Sequence, residues 1–127
     1  MELLHIALVS SSEAHSDMFY KDLLGCEKKP PRQVPASLMQ QLFNLDEAAT
    51  IINYVGKDGP VFEVFVMSVK EHAPVSHACL TVKDRDVFLT TCEKMNVPVR
   101  RFVKEDGGSI VFIVDFDLNL FEIKEKT

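Results

Sequence analysis

The stretch Ser76-His77-Ala78-Cys79-Leu80-Thr81-Val82-Lys83-Asp84 decides the fold of this 127-residue chain, because it repeats a pattern found near the N-terminus. The earlier copy is Leu4-His5-Ile6-Ala7-Leu8-Val9. Each copy is a short apolar strand with a histidine at its entrance, followed by a polar break and a helical pattern. Alternate residues of a strand point to the same side, so each histidine shares a face with small or polar side chains.

Each half of the chain also contains a later strand in which one glutamate stands among apolar residues. These strands are Val61-Phe62-Glu63-Val64-Phe65-Val66 and Leu120-Phe121-Glu122-Ile123-Lys124. The pattern predicts one small unit used twice within a single domain: module one at about 1–69 and module two at about 75–127. The segment 69–75, which includes His72, is the expected linker.

The elements between these strands follow the same order in both halves. Ser10 and Glu13 predict a capping box for a first helix that ends at Gly25, and Asp84 predicts the cap of a second. Pro30-Pro31 makes the segment from Cys26 to Val34 an edge strand. The order β-α-β-β-β, twice, predicts an α+β fold in which two βαβββ modules form a curved mixed sheet, with helices on one side and a cleft on the other.

Two segments of the first half are less regular. The spacing of apolar residues from Ser37 to Leu45 predicts a short helix capped by Ser37, with a strand as the alternative. Lys57-Asp58-Gly59 is typical of a hairpin turn, in which we expect Gly59 to take a positive φ.

Composition limits the class of protein. Hydrophobic residues are 46% and charged residues 26% of the chain, which is typical of a globular domain, and the net charge of −5 argues against nucleic-acid binding. No run of apolar residues is long enough to span a membrane, and no secretion signal is evident. The three cysteines have no paired spacing; Cys79 and Cys92 are expected to be buried, and a cytoplasmic location is expected.

The repeated histidines and glutamates form the candidate site. A single entrance histidine commonly bonds only a backbone carbonyl, and a lone glutamate can simply face solvent, so each residue alone is also compatible with a structural role. Two imidazoles and two carboxylates at matching places in two repeats, however, would form an N₂O₂ ligand set if the two sheets face each other. Such a set suits a divalent ion such as Zn, Ni, Co, Mn or Fe.

Several motifs resemble the vicinal oxygen chelate superfamily, which includes glyoxalase I, methylmalonyl-CoA epimerase, extradiol dioxygenases and antibiotic-resistance proteins. The similarity extends over nearly the whole chain and is carried by His5-Ile6-Ala7-Leu8-Val9, Phe19-Tyr20-Lys21-Asp22-Leu23-Leu24-Gly25, Ser76-His77-Ala78-Cys79-Leu80-Thr81-Val82 and Asp115-Phe116-Asp117-Leu118-Asn119-Leu120-Phe121-Glu122-Ile123. The resemblance implies the metal ligands His5, Glu63, His77 and Glu122, with Asn53 as the alternative to Glu63. Leu118 stands where the family usually has glycine.

The ligand set looks most like that of small glyoxalase I enzymes. The resemblance implies a lyase or isomerase in which a divalent metal stabilises an enediolate while Glu122 or Glu63 moves a proton next to a carbonyl. Phe65, Met67 and Phe112 are expected to line an apolar wall, Arg32 is a candidate for an anionic substrate, and a homodimer acting on a small molecule is expected. The alternatives are another superfamily enzyme (an epimerase, thiol transferase or dioxygenase) and a metal-free binding or resistance protein.

Overall fold

The computed structural model describes residues 3–68 and 75–127, which fall into two compact units, Met1–Glu71 and His72–Thr127. The predicted linker 69–75, including His72, lies outside the described residues except for Val75. Within the two described ranges, no helix is long and apolar enough to cross a membrane.

Unit 1 contains a mixed five-stranded sheet. Its first and last strands pair in parallel, and its other pairings are antiparallel. The elements in chain order are β1 (His5–Ser10), α1 (Glu13–Ser16, continuing as a π-helical segment, Asp17–Leu23), β2 (Glu27–Lys28), β3 (Arg32–Val34), α2 (Ala36–Phe43), β4 (Ala49–Val55) and β5 (Val61–Val66). The strand order is β1-β5-β4-β2, and β3 also pairs with β4.

Unit 2 contains a mixed four-stranded sheet with the order β6-β9-β8-β7. Here too the first and last strands are parallel neighbours. The elements are β6 (His77–Val82), α3 (Arg85–Lys94), β7 (Val99–Val103), β8 (Ser109–Val114) and β9 (Leu120–Glu125). The predicted α+β class and the βαβββ order are confirmed, with the strands divided between two mixed sheets.

The first helix begins later than the capping-box prediction placed it. Ser12 is the N-cap, and its side chain accepts a hydrogen bond from the His15 backbone N–H. Ser10 is buried, and the Ser16 hydroxyl donates to its Oγ at 2.7 Å. The capping-box assignment was wrong because Ser10 still belongs to strand β1, which runs one residue further than the apolar pattern indicated. Gly25 ends the helix with φ +72°, as predicted.

Two smaller predictions in unit 1 also need correction. The short helix over the ambiguous segment is confirmed, but Pro35 occupies its N-cap position and Ser37 lies inside it. Pro35 has the extended backbone of an N-cap residue, but its side chain has no capping oxygen to accept hydrogen bonds from the first helical N–H groups. The hairpin between β4 and β5 is closed by a Gly56 N–H bond to the Pro60 carbonyl, and Gly59 does not take a positive φ.

The unit 1 sheet is covered on both faces, but unequally. On one face, Tyr20 of α1 packs against Tyr54 and Phe62, with ring centroids 5.4 Å apart in both contacts. On the other face, the helix α2 contributes Met39 to a buried cluster with Val34, Ala49, Ile51, Phe65 and Met67. This second cluster occupies only one end of the face, and the end that bears His5 is left open.

In unit 2, α3 covers one sheet face. Leu89 and Cys92 are its buried residues, and the strand residues Val111, Ile113, Phe121 and Ile123 have no exposed surface. Phe121 and Ile123 alternate with Glu122, so the glutamate belongs to the opposite face. Asp84 caps α3 as predicted, accepting from the Val87 N–H at 2.9 Å.

Asp17 links α1 to the unit 1 sheet. Its carboxylate accepts a hydrogen bond from the Tyr54 hydroxyl at 2.7 Å and one from Lys28 at 3.0 Å. Burial by itself would raise the pKa of Asp17, but the bonds from Tyr54 and Lys28 outweigh it and lower the pKa below 3.8. Lys28 also bonds Glu13 at 2.7 Å, so the helix start and strand β2 are joined at the same place.

We expect Tyr54→Phe to destabilise the protein by about 1.5–3 kcal/mol at pH 7, because it removes a hydrogen bond to a charged group. Since the folded pKa of Asp17 is depressed, its contribution is complete well above pH 3.8 and is lost as the pH falls through the folded value. Urea unfolding of both proteins at pH 7 and at about pH 3 tests this. An equal difference at both pH values would contradict it.

The turn before β9 is held by Asp115, whose Oδ1 accepts from the backbone N–H groups of Asp117 and Asn119 at 2.9 and 2.8 Å. Within this turn Leu118 takes φ +69°, a left-handed conformation that is costly for a residue with a Cβ. Leu118 is 63% exposed, so its side chain offers little burial in return.

Leu118→Gly should therefore stabilise the protein by about 0.5–1 kcal/mol, because glycine takes this conformation without the steric cost. Asn96→Gly is the matched control, since Asn96 has φ 57° and asparagine tolerates this region better. Thermal unfolding should give a larger gain for Leu118→Gly than for the control. A loss of stability at Leu118 would show that the turn needs the leucine side chain.

Candidate metal site

The parallel pairing in unit 1 brings the predicted residues of module one together. Glu63 lies opposite Ala7 of β1 and Asn53 of β4, so all three side chains share one sheet face with His5. His5 Nε2 is 3.8 Å from Glu63 Oε1, and the two side chains are 48% and 17% exposed. A half-exposed imidazole thus faces a mostly sheltered carboxylate.

Unit 2 repeats this arrangement at the same register. Glu122 lies opposite Cys79 of β6, as Glu63 lies opposite Ala7, and His77 is placed as His5 is. His77 Nε2 is 3.8 Å from Glu122 Oε2. Each unit therefore contains one histidine–glutamate pair made of two candidate ligands, and the two pairs have the same distance and register.

The ring of His77 is oriented by its surroundings. Nδ1 lies 2.9 Å from the Val75 carbonyl oxygen, which can only accept, so Nδ1 carries the proton and donates. Phe112 packs edge-to-face against the ring, with centroids 5.1 Å apart. In the neutral imidazole this leaves the Nε2 lone pair on the side of Glu122, the arrangement by which a backbone carbonyl commonly orients a metal-binding histidine.

A neutral imidazole nitrogen and an ionised carboxylate oxygen each offer a lone pair and no proton. When the two face each other, a cation between them can be bound by both. Two ligands of one divalent ion, each at about 2.0–2.2 Å from it, lie about 3–3.5 Å apart, so a 3.8 Å pair needs only a small closure. Among residues 3–68 and 75–127, no group of three or more His, Cys, Asp or Glu side chains is close enough together to hold a metal ion. Each described unit thus offers two such ligands, and the four-ligand site remains a prediction.

The two glutamates differ in their other neighbours. Arg32 Nη2 is 3.9 Å from Glu63, and Lys124 Nζ is 3.7 Å from Glu122. Both distances are those of loose, half-exposed ion pairs, which stabilise a fold little. Beside Glu63 the neighbouring strand offers the polar Asn53, whereas beside Glu122 it offers Phe112.

Asn53 lies next to one of the candidate ligands. It was considered only as a substitute for Glu63, but the observed register places it beside that glutamate. Its Oδ1 is buried and has no hydrogen-bond donor, the only such side-chain atom in the part of the chain that the structure describes. An asparagine amid the β-branched residues of strand β4 was the available signal.

The predicted apolar wall is only partly present. Phe65 and Met67 are 7% and 6% exposed because α2 packs over them, and Phe43 meets the Phe65 ring edge-on at 5.4 Å. They belong to the core cluster and do not line an open surface. Phe112 does stand beside a candidate ligand, through its contact with His77.

Cys79 is exposed, and the expectation that it is buried was wrong. Its strand alternates between exposed and partly buried residues, and Cys79 falls on the exposed side with His77 and Thr81. Cys26 and Cys92 are buried, and burial raises the pKa of each thiol to about 11. Cys79 is therefore the one accessible thiol of the three, and it lies beside Glu122.

Comparison with known proteins relates the whole chain to solved structures. Glyoxalase I of Leishmania major, described as trypanothione-dependent, is 20% identical with a TM-score of 0.69, covering 98% of this chain and 86% of that one. A glyoxalase family protein of Enterococcus faecalis is 18% identical with a TM-score of 0.69, covering 96% and 95%. No family model and no curated protein sequence matches the chain.

A third structure is a point variant of the fosfomycin resistance protein FosX from Listeria monocytogenes, in complex with Mn(II) and 1S,2S-dihydroxypropylphosphonic acid. It is 16% identical with a TM-score of 0.75, covering 99% of this chain and 93% of that one. Similarity at these identities shows a shared fold. The chain therefore has the fold of the vicinal oxygen chelate superfamily, as its motifs indicated.

The difference among the thiols leads to a direct test. In the native protein at about pH 8, we expect one thiol per chain to react rapidly with Ellman's reagent, because only an accessible thiolate reacts. Cys79→Ser should abolish this rapid phase, and all three cysteines of the original protein should react in denaturant. A rapid phase that survives Cys79→Ser would show that Cys26 or Cys92 is accessible.

Proposed function

We propose, on the premise that this chain has the vicinal oxygen chelate fold, that it is a divalent-metal-dependent lyase or isomerase of glyoxalase I type. The observation that carries the proposal is the recurrence of one histidine–glutamate pair, at 3.8 Å and at the same register, in both units. A structural role for one pair would not require the second to repeat it. A shared chemical task explains both.

The proposed ligands are His5, Glu63, His77 and Glu122. Their donors are two imidazole nitrogens and two carboxylates, a set that suits Zn, Ni, Co, Mn or Fe. The bonded proton on His77 Nδ1 leaves Nε2 as its coordinating atom. When bound, the ion would act as a Lewis acid that polarises the oxygens of a carbonyl substrate.

The protein's own groups would then move the proton next to that carbonyl. Glu122 or Glu63 is the proposed general base, since each carboxylate is mostly sheltered yet lies beside the open part of its sheet face. Arg32, 59% exposed and loosely paired with Glu63, is available for an anionic group of the substrate. A homodimer in the cytoplasm, acting on a small molecule, remains the prediction for the assembly and its setting.

A second candidate is another metal-dependent enzyme with the same fold. It is favoured by the similarity to the FosX structure, whose complex contains Mn(II) and a phosphonate. It uses the same four ligands and differs in substrate, so a substrate panel separates the two. The panel should contain hemithioacetals of methylglyoxal with several thiols, and fosfomycin.

The first test is elemental analysis of purified, untagged protein after incubation with Ni, Zn, Co and Mn. We expect about one divalent ion per chain, lost in both His77→Ala and Glu122→Ala, because removing a ligand lowers metal affinity by at least the roughly 10–100-fold seen for supporting residues. His15→Ala, which removes an exposed histidine of α1, is the control and should keep the metal.

Failure of the original protein to take up any of the four metals would overturn the enzyme proposal. The metal-free binding protein would then be the better account of the chain. Metal uptake without turnover of the hemithioacetals, but with turnover of fosfomycin, would favour the second candidate.

A further inference from the structure

We propose that Asn53 is a third ligand in unit 1, whose Oδ1 binds the same divalent cation as His5 and Glu63. This proposal rests on the metal site of the proposed function and adds a residue to it. It also implies a difference between metals: the additional oxygen contributes more to the binding of six-coordinate, oxygen-preferring ions such as Mn²⁺ than to the binding of Zn²⁺.

The placement of Asn53 follows from strand pairing. Asn53 and Glu63 are direct partners in the antiparallel ladder of β4 and β5. Partners of this kind share a face, with Cβ atoms about 4.5–5.5 Å apart, so both side chains can reach one ion between them. His5 reaches Glu63 from the other side, at 3.8 Å. Glu63 thus lies between two further candidate ligand atoms, His5 Nε2 on one side and Asn53 Oδ1 on the other.

The surroundings of Oδ1 support this role. The atom is buried and accepts no hydrogen bond from the residues that the structure describes, and such an atom costs about 1–3 kcal/mol unless something compensates. Its neighbours on the same face of β4, Ile51 and Val55, are apolar and offer no donor. Glu63, when ionised, is itself an acceptor, and the Arg32 guanidinium lies against Glu63 without donating to Asn53.

Asn53 Oδ1 and the Glu63 carboxylate are neighbouring hydrogen-bond acceptors with few hydrogen-bond donors around them. A bound cation would interact favourably with both. A metal ion bound by Oδ1, the Glu63 carboxylate and His5 Nε2 would satisfy all three at once. The α2 cluster covers the other end of the face and the end that bears His5 is exposed, so we place the cation at the His5 end.

Unit 2 differs at the matching position. Phe112 lies opposite Glu122 as Asn53 lies opposite Glu63, and phenylalanine has no donor atom. The additional ligand therefore belongs to unit 1 alone. Tetrahedral zinc is complete with four ligands, whereas ions that prefer carboxylate, carbonyl and water oxygens accept a further one, which is the origin of the expected difference between the metals.

The test compares binding of Mn²⁺ and of Zn²⁺ by isothermal titration calorimetry, with thermal unfolding of the metal-free proteins as a second readout. Asn53→Leu removes the oxygen, Asn53→Asp retains one, and Gln33→Leu removes an exposed amide from neighbouring strand β3 as the control. We expect Asn53→Leu to weaken Mn²⁺ binding by roughly 10–100-fold. Zn²⁺ binding should change much less, and Asn53→Asp and Gln33→Leu should still bind Mn²⁺.

Thermal unfolding of the metal-free proteins distinguishes a metal-binding role of Asn53 from a purely structural one. If Asn53 is a ligand, metal-free Asn53→Leu should be at least as stable as the original protein, because the buried unsatisfied oxygen is gone. Lower metal-free stability together with unchanged Mn²⁺ affinity would overturn this inference and leave the proposed function intact. If the original protein binds neither ion, the metal site itself fails, and that result is distinct from the first.

Discussion

The parallel pairing of the first and last strands in each unit is the constraint on which the rest depends. In a parallel ladder the register determines which residues of two strands lie side by side, and a slip of one residue would turn every side chain to the other face. Here the register sets Glu63 against Ala7 and Glu122 against Cys79, with each histidine just upstream. Backbone hydrogen bonds, and not contacts among the polar residues themselves, hold each pair in place.

The covering helices determine where this polar chemistry is possible. In unit 1, α1 packs on one face and α2 closes part of the other, so the carboxylate of Glu63 lies at the edge of an apolar cluster. A charge in such a place interacts more strongly with its neighbours than a charge in bulk water does. In unit 2, α3 packs on the face of Phe121 and Ile123, and within residues 75–127 no helix of this unit covers the Glu122 face.

The sequence alone predicted those features that depend on patterns repeated over a few residues along the chain. Alternation in the strands and the repeat of two halves predicted the element order, the edge strand broken at the prolines, and the matching positions of one histidine and one glutamate in each half. It failed where a side chain's burial depends on a distant element. Phe65 and Met67 share a face with Glu63, but the strand pattern contains no sign that α2 covers them. Cys79 looked buried because its neighbours are apolar, yet it lies on the exposed side of its strand. The position of Asn53 beside Glu63 depends on the pairing of β4 with β5, which no local pattern contains.

The duplicated ladder has a consequence for how such a protein can diverge. At positions flanking the glutamates, one unit has alanine and asparagine where the other has cysteine and phenylalanine, while the imidazole–carboxylate distance is 3.8 Å in both. Residues next to the donors can therefore change in size and polarity without displacing the donors. For the proposed enzyme, changes at these flanking positions would alter which molecules bind while the four proposed ligands stay in place, and each half could change separately.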